Sequence, residues 1–271
     1  NVEIQGEGEP LLHPRFFDMV AAAQRRGVRA HFITNGSMFS EGNVERLLSF
    51  DNVDKVYVSC ESVDPAAFQD IRGGSLDKVR AGIERLQARK KALGRTRPSI
   101  GLTVTVMRRT QAEAQNVARF YGELGLDGGI LVQLLQKKGD YTAHYDEAMK
   151  AQVFTDEEAM MTWAMWLGDD AISSIVFAPK AVAGFHEQPF DGWDASTRTC
   201  PWLERGAYVT FDGVVSGCCK MKEPRFALGQ LGAAPEKQAL LRQQLREAFK
   251  AGQVPEACQG CSTADLIRSQ F

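Results

Sequence analysis

In the first half of the chain, five runs with strand character alternate with runs of helix character. No hairpin turn intervenes. Asn1–Gln5, Arg29–Thr34, Lys55–Cys60, Ser99–Met107 and Gly129–Leu135 read as strands. Helical patterns fill the gaps over Pro14–Arg26, Glu41–Ser49, a segment opened by Asp64-Pro65, Leu76–Leu93 and Thr110–Leu124. This rhythm specifies an α/β fold with a parallel sheet, because parallel neighbours need a crossover rather than a tight turn. Whether such a sheet stays open or closes into a barrel, function collects on the loops that follow the strands. Those loops are Gly6–Pro10, Asn35–Gly36, Cys60–Ser62, Arg108–Thr110 and Gln136–Tyr141.

Local signals fix several boundaries. Phe16, Phe17, Val20 and Ala21 share one face of the first helix, and Gly27 sits at its stop. Asp64 suits an N-cap and Pro65 a first turn. Thr110-Gln-Ala-Glu113 reads as a capping box, and Arg89-Lys90-Lys91 as a solvated last turn. Past Asp140 the pattern loosens. Thr155-Asp-Glu-Glu158 caps one more helix, to Leu167, and Ser174–Ala178 reads as a last strand. The polar stretch Gln188–Thr199 marks a boundary, so residues 1–187 are expected to form one domain and 188–271 a second. In the second, Ala207–Phe211 and Val214–Cys218 flank the hairpin turn Asp212-Gly213, and Pro235–Lys250 is helical.

Composition narrows the function. With 271 residues the chain can bury a large core, and a net charge of −2 gives no electrostatic basis for binding nucleic acid or an anionic membrane. No apolar run approaches the ~20 residues of a membrane span, and no signal peptide opens the chain, so the expected location is the cytoplasm. In such a chain the six cysteines favour metal binding over disulfides.

Five of those cysteines lie between Cys200 and Cys261. Cys258-x-x-Cys261 can turn two thiolates toward one centre, and Cys200 with the Cys218-Cys219 pair can complete four-coordination, as zinc and iron–sulfur sites require. Adjacent strand residues point to opposite faces, so only one of Cys218 and Cys219 is expected to serve. In the first half, Gly6-Glu7-Gly8-Glu9-Pro10 allows a ligand close to the backbone, with Glu9 available to an ammonium group. Cys60 reads as a small buried apolar residue. His13, His31, His144 and His186 show no ligand spacing, while Asp140, Tyr141 and Tyr145 follow a strand on the functional rim.

The order Gly8-Glu9-Pro10, Thr34-Asn35-Gly36, Val58-Ser59-Cys-Glu-Ser62 and Arg72-Gly-Gly-Ser75 resembles the radical S-adenosylmethionine (SAM) superfamily over Asn1–Leu135. The resemblance implies a partial (β/α)6 TIM-like barrel whose first βα unit is missing. It also implies that Gly8 and Glu9 hold the methionyl amine of SAM. Thr34 and Asn35 then lie near the cofactor, and Ser59 contacts its ribose or carboxylate. Arg72 is either a ligand of the methionyl carboxylate or a helix-end surface arginine. In the second half, Cys200-x12-Gly213-x4-Cys218, Leu228-Gly-Gln-Leu231 and Cys258-x-x-Cys261 resemble the SPASM and twitch extensions. This implies a small β-hairpin-plus-helix domain with one auxiliary 4Fe-4S cluster on Cys200, Cys218, Cys258 and Cys261. No cysteines follow Cys261, which favours the one-cluster, twitch-like version.

The superfamily's Cys-x3-Cys-x2-Cys triplet is absent from these residues, so the catalytic 4Fe-4S cluster is expected on a segment preceding Asn1. The implied activity is that of an oxidoreductase in which a 5′-deoxyadenosyl radical abstracts hydrogen from a small molecule or a ribosomal peptide. The auxiliary cluster would accept or relay an electron, and flavodoxin or ferredoxin would supply electrons. The alternatives are a non-catalytic relative that binds a peptide or partner, and a structural zinc site at the C-terminal cysteines.

Overall fold

In the computed structural model of the chain, residues 1–6, 8–135, 142–177, 195–221 and 223–271 are described. The chain divides into two compact units, one comprising Asn1–Leu135 and Phe154–Ala178, the other Gln136–Val153 and Pro179–Phe271. Asp140, Tyr141, His186 and most of the expected boundary at Gln188–Thr199 lie outside the described residues.

The first unit is built on six parallel strands: β1 (Val2–Glu3), β2 (Ala30–Thr34), β3 (Val53–Ser59), β4 (Ser99–Val106), β5 (Ile130–Leu134) and β6 (Val176–Phe177). Their spatial order is their sequence order. This is the strand arrangement of a barrel wall, and it bears out the expected α/β fold. Five α-helices lie between β1 and β5: α1 (Phe16–Arg25), α2 (Glu41–Leu48), α3 (Pro65–Arg72), α4 (Leu76–Ala92) and α5 (Ala114–Glu123).

The sheet has two chemically distinct faces. Val56, Val58, Ile100, Leu102, Val104, Ile130 and Val132 are fully buried, and on β2 Phe32 packs edge-on against Phe16 of α1 at 4.9 Å. Strand alternation puts His31, Ile33, Lys55, Tyr57, Ser59, Gly101, Thr103, Thr105, Leu131 and Gln133 on the opposite face. The register confirms the rows: Ile33, Tyr57 and Gly101 are lateral neighbours, as are Ser59 and Thr103, and Thr105 and Gln133. Only glycine fits at 101, because a Cβ there would come within 2.7 Å of the Tyr57 ring.

Helix starts follow the side chains that cap them. Ser40, Asp64 and Ser75 each accept a bond from a backbone N–H three residues on. Thr155 and Glu158 form the expected reciprocal box at the helix Asp156–Leu167. Two expectations are corrected. Thr110 does not cap α5; it lies inside a 3-10 turn, Arg108–Glu113, with its hydroxyl turned back on Met107, and the α-helix begins at Ala114. Lys90 is not solvated. It falls on the stripe Leu76, Val79, Ile83, Leu86, which faces the core, and its buried ammonium donates to Asp127 (2.7 Å) and the Pro98 carbonyl (2.9 Å).

In the second unit, β7 (Tyr208–Val209), β8 (Val214–Ser216) and β9 (Gly229–Gln230) form an antiparallel sheet, the first two joined at Asp212-Gly213. Gly213 has φ of 84°, as a left-handed turn position requires. The third strand was not legible in sequence, since it is two residues long and contains glycine. The helices Pro201–Arg205, Pro235–Lys250 and Ser262–Arg268 complete this unit. Arg242 of the long helix donates to the carbonyls of Trp202, Leu203 and Gly206, closing the end of the short helix that follows Cys200.

Candidate functional site

Two loops at the C-terminal ends of β1 and β2 meet through one carboxylate. Glu9 Oε1 accepts from the Thr34 hydroxyl at 2.7 Å and the Leu11 N–H at 3.1 Å, while Oε2 accepts from the Asn35 N–H at 2.6 Å. A carboxylate offers about four acceptor positions, so one on Oε2 remains for a cationic donor. The strand end is rigid. Thr34 Oγ1 also accepts from the Gly36 N–H, and the Asn35 side chain accepts from the Ser37 N–H. Gly36 has φ of 76°, and a Cβ on it would strike Val58 and Val79 at under 3 Å, so Thr34-Asn35-Gly36 has a packing reason as well. Gly8 has none: it is exposed, and a Cβ there would meet no atom within 4 Å.

At the end of β3, Ser59 is buried, and Glu61 and Ser62 are buried beyond it. Glu61 is held by Arg72, the last residue of α3, through Nε at 2.5 Å and through Nη2. Arg72 is therefore not merely a helix-end surface residue. No described residue takes its Nη1. Sequence reasoning missed Glu61 as the partner, although an arginine ending the next helix is a signal for a buried acid. Glu113 bridges in as well, accepting from the Ser62 hydroxyl (3.3 Å) and the Val63 N–H (3.4 Å). Cys60 is buried and donates to the Ser62 carbonyl, and burial pushes its thiol up to about 12, with the Glu61 carboxylate adding to the effect. Its packing role is as expected.

In the second unit, Cys200 and Cys258 are buried in one apolar cluster with Leu203, Met221, Phe249 and Ile267, and Cys218 and Cys261 pack against it. Four thiols separated by up to 61 residues thus share one small core. Burial raises the Cys200 thiol and pushes Cys218 up to about 12, and Cys261 reinforces both. The donor set suits a soft metal or cluster in chemistry. Among the described residues, however, no three Cys, His, Asp or Glu side chains stand as a formed metal-binding group. Cys218 and Cys219 follow β8 rather than lying on it, since that strand ends at Ser216; strand alternation therefore does not separate them. Membership of the cluster does, because it includes Cys218 and not Cys219.

Comparison with known proteins bears on the first unit. Residues 1–120 match the family model of the Radical SAM superfamily. Over 131 residues (48% of this chain, 36% of the relative) the sequence is 33% identical to a tungsten-containing aldehyde ferredoxin oxidoreductase cofactor-modifying protein of Pyrococcus furiosus. Over 136 residues (49% of this chain, 40% of the relative) it is 27% identical to a probable GTP 3′,8-cyclase of Metallosphaera sedula. The matched stretch thus spans well under half of each relative.

Among solved structures, native anSMEcpe with bound AdoMet and Cp18Cys peptide superposes with a TM-score of 0.63 at 16% identity, covering 98% of this chain and 74% of that one. Streptococcus suis SuiB bound to S-adenosylmethionine gives 0.63 at 13% identity, covering 82% and 50%. These two likenesses show the fold. Among the described residues no helix is long and apolar enough to cross a membrane.

Proposed function

We propose that this chain is part of a radical SAM oxidoreductase that modifies a peptide or dehydrogenates a small molecule. One observation carries the reading: Glu9, from the first glycine-rich turn, is oriented by Thr34 and Asn35 from the next strand end, with one acceptor position left over. Two motifs more than twenty residues apart thus make one cation-binding corner, as the methionyl ammonium of SAM requires. Open space at Gly8 suits close approach of that ligand. Ser59 and the remaining Nη1 of Arg72 supply neutral and cationic donors at the end of β3, for the ribose and carboxylate.

SAM with a reduced 4Fe-4S cluster supplies a 5′-deoxyadenosyl radical, which abstracts hydrogen from substrate. The protein's residues bind and orient the cofactor. Cys200, Cys218, Cys258 and Cys261 are proposed to hold an auxiliary 4Fe-4S cluster in a twitch-like domain, and an electron carrier such as flavodoxin or ferredoxin would be the redox partner. The anSMEcpe structure of similar fold holds a peptide, and this motivates a peptide as the substrate class proposed for the chain.

Equilibrium dialysis of the chain against radiolabelled SAM tests the first part. Saturable binding at one site per chain is expected; a folded chain that takes up no SAM overturns the reading.

A further inference from the structure

Thr105 and Gln133 are paired in register on the polar face of the sheet, near the C-terminal ends of β4 and β5. The Gln133 carboxamide donates to the Thr105 hydroxyl at 3.1 Å. Gln133 is exposed, yet its strand neighbours Ile130 and Val132 on the other face are fully buried. Nothing in the packing calls for a glutamine there, and holding its long side chain on a threonine costs rotamer freedom.

Among the described residues no other group takes the remaining polar positions of the pair. Left over are the Gln133 carbonyl as acceptor, its second N–H, and the Thr105 hydroxyl hydrogen. With the carboxamide turned over, the pair still offers a donor and an acceptor. Neither residue is charged. Both are three or fewer strands from Thr34, about 10–14 Å across the sheet at ~4.8 Å per strand. The pair is therefore well apart from the carboxylate that would hold the cofactor's ammonium.

We propose that Thr105 and Gln133 form a substrate-reading site for a neutral amide, the N–H and C=O of a peptide backbone. An adjacent donor and acceptor match an amide edge, and an uncharged pair offers a charged group no counter-charge. The inference deepens the proposed function, on whose peptide substrate it rests.

The test is a 15N NMR titration of the full chain, reading the Gln133 side-chain NH2 signals, which are assigned by their loss in Gln133→Leu. The probes are a blocked alanine tripeptide, the same peptide with every amide N-methylated, and SAM. The plain tripeptide should move the Gln133 signals saturably. The N-methylated one should bind at least fivefold more weakly, and Thr105→Val should weaken the plain peptide about five- to tenfold. Equal binding of the two peptides, or no saturable shift, overturns the proposal. So does a Gln133 shift produced by SAM and not by peptide, which would assign the pair to the nucleoside. The Asn35 amide signal reports separately on the cofactor corner. If SAM moves it while peptide leaves Gln133 unmoved, the functional reading stands and this inference fails. If peptide moves Gln133 while SAM moves nothing, the reverse holds.

Discussion

Arg72 and Glu61 close on each other as a fork, tying the end of α3 to the end of β3 through a carboxylate whose side chain is only 3% exposed. Bidentate pairing fixes both distance and plane. It also aims the remaining guanidinium nitrogen in a defined direction, which a free helix-end arginine would not do.

The two halves of this pair are not equivalent, and their removal should cost differently. Arg72 is 31% exposed and can turn to water if Glu61 is lost, whereas Glu61 cannot. Glu61→Gln is expected to cost about 1–2 kcal/mol, and Arg72→Met about 3 kcal/mol, because it strands a buried carboxylate. Urea unfolding of both variants checks the order. Equal costs would mean that Glu61 reaches solvent.

Lys90 should behave as a core residue despite its place in a basic run. Its ammonium meets Asp127 and the Pro98 carbonyl while its stem lies in the α4 stripe. Lys90→Ala is expected to destabilise by about 2–3 kcal/mol. Lys91→Ala, one residue on and exposed, should change stability by less than about 0.5 kcal/mol. Thermal melts of the pair distinguish the two positions.

Lys90 and Thr110 mark where the sequence stops being informative. The strands and capped helices could be read directly, because β-branched runs, Ser40, Asp64, Ser75 and Thr155 act within a few residues of themselves. Lys90 could not, since its burial follows from the phase of a 17-residue helix and a partner 37 positions away. Thr110 carried a convincing capping pattern, yet its Glu113 was recruited by Ser62 and Val63 across the fold. The motif at Glu9 was visible as a glycine-rich turn, but its hydrogen bonds to Thr34 and Asn35 depend on β1 and β2 being neighbours. Cys219 was ambiguous because β8 ends before it rather than through it.

Burial of Cys60 makes a pH-dependent contribution. Its thiol ionises at about 12 in the folded protein against an ordinary 9.0, so its stabilising effect is complete below about pH 9 and is lost as pH rises toward 12. Between pH 8 and pH 10.5, wild type should lose more stability than Cys60→Val, as read from urea midpoints at each pH. Iodoacetamide at pH 8 should leave Cys60 unmodified until urea is added.

The C-terminal thiols should load iron and sulfide together. Anaerobic reconstitution is expected to give broad visible absorption and about four irons at this site. Cys258→Ser and Cys218→Ser should abolish it, while Cys219→Ser should leave it intact. One zinc per chain with no visible absorption would assign the site to a structural metal instead.

The central claim is that Glu9 holds the ammonium of SAM, and calorimetric titration of the wild-type chain and Glu9→Gln tests it most directly. The substitution removes the charge at nearly the same volume; its single oxygen can keep the Thr34 and Leu11 bonds while the Asn35 N–H loses its acceptor, so circular dichroism of the variant accompanies the titration to show that the fold survives. SAM is expected to bind Glu9→Gln at least tenfold more weakly, corresponding to a charge-assisted bond of about 1.5–3 kcal/mol. 5′-Methylthioadenosine, which has no ammonium, should bind both proteins equally. Equal SAM affinity for the two proteins would contradict the assignment.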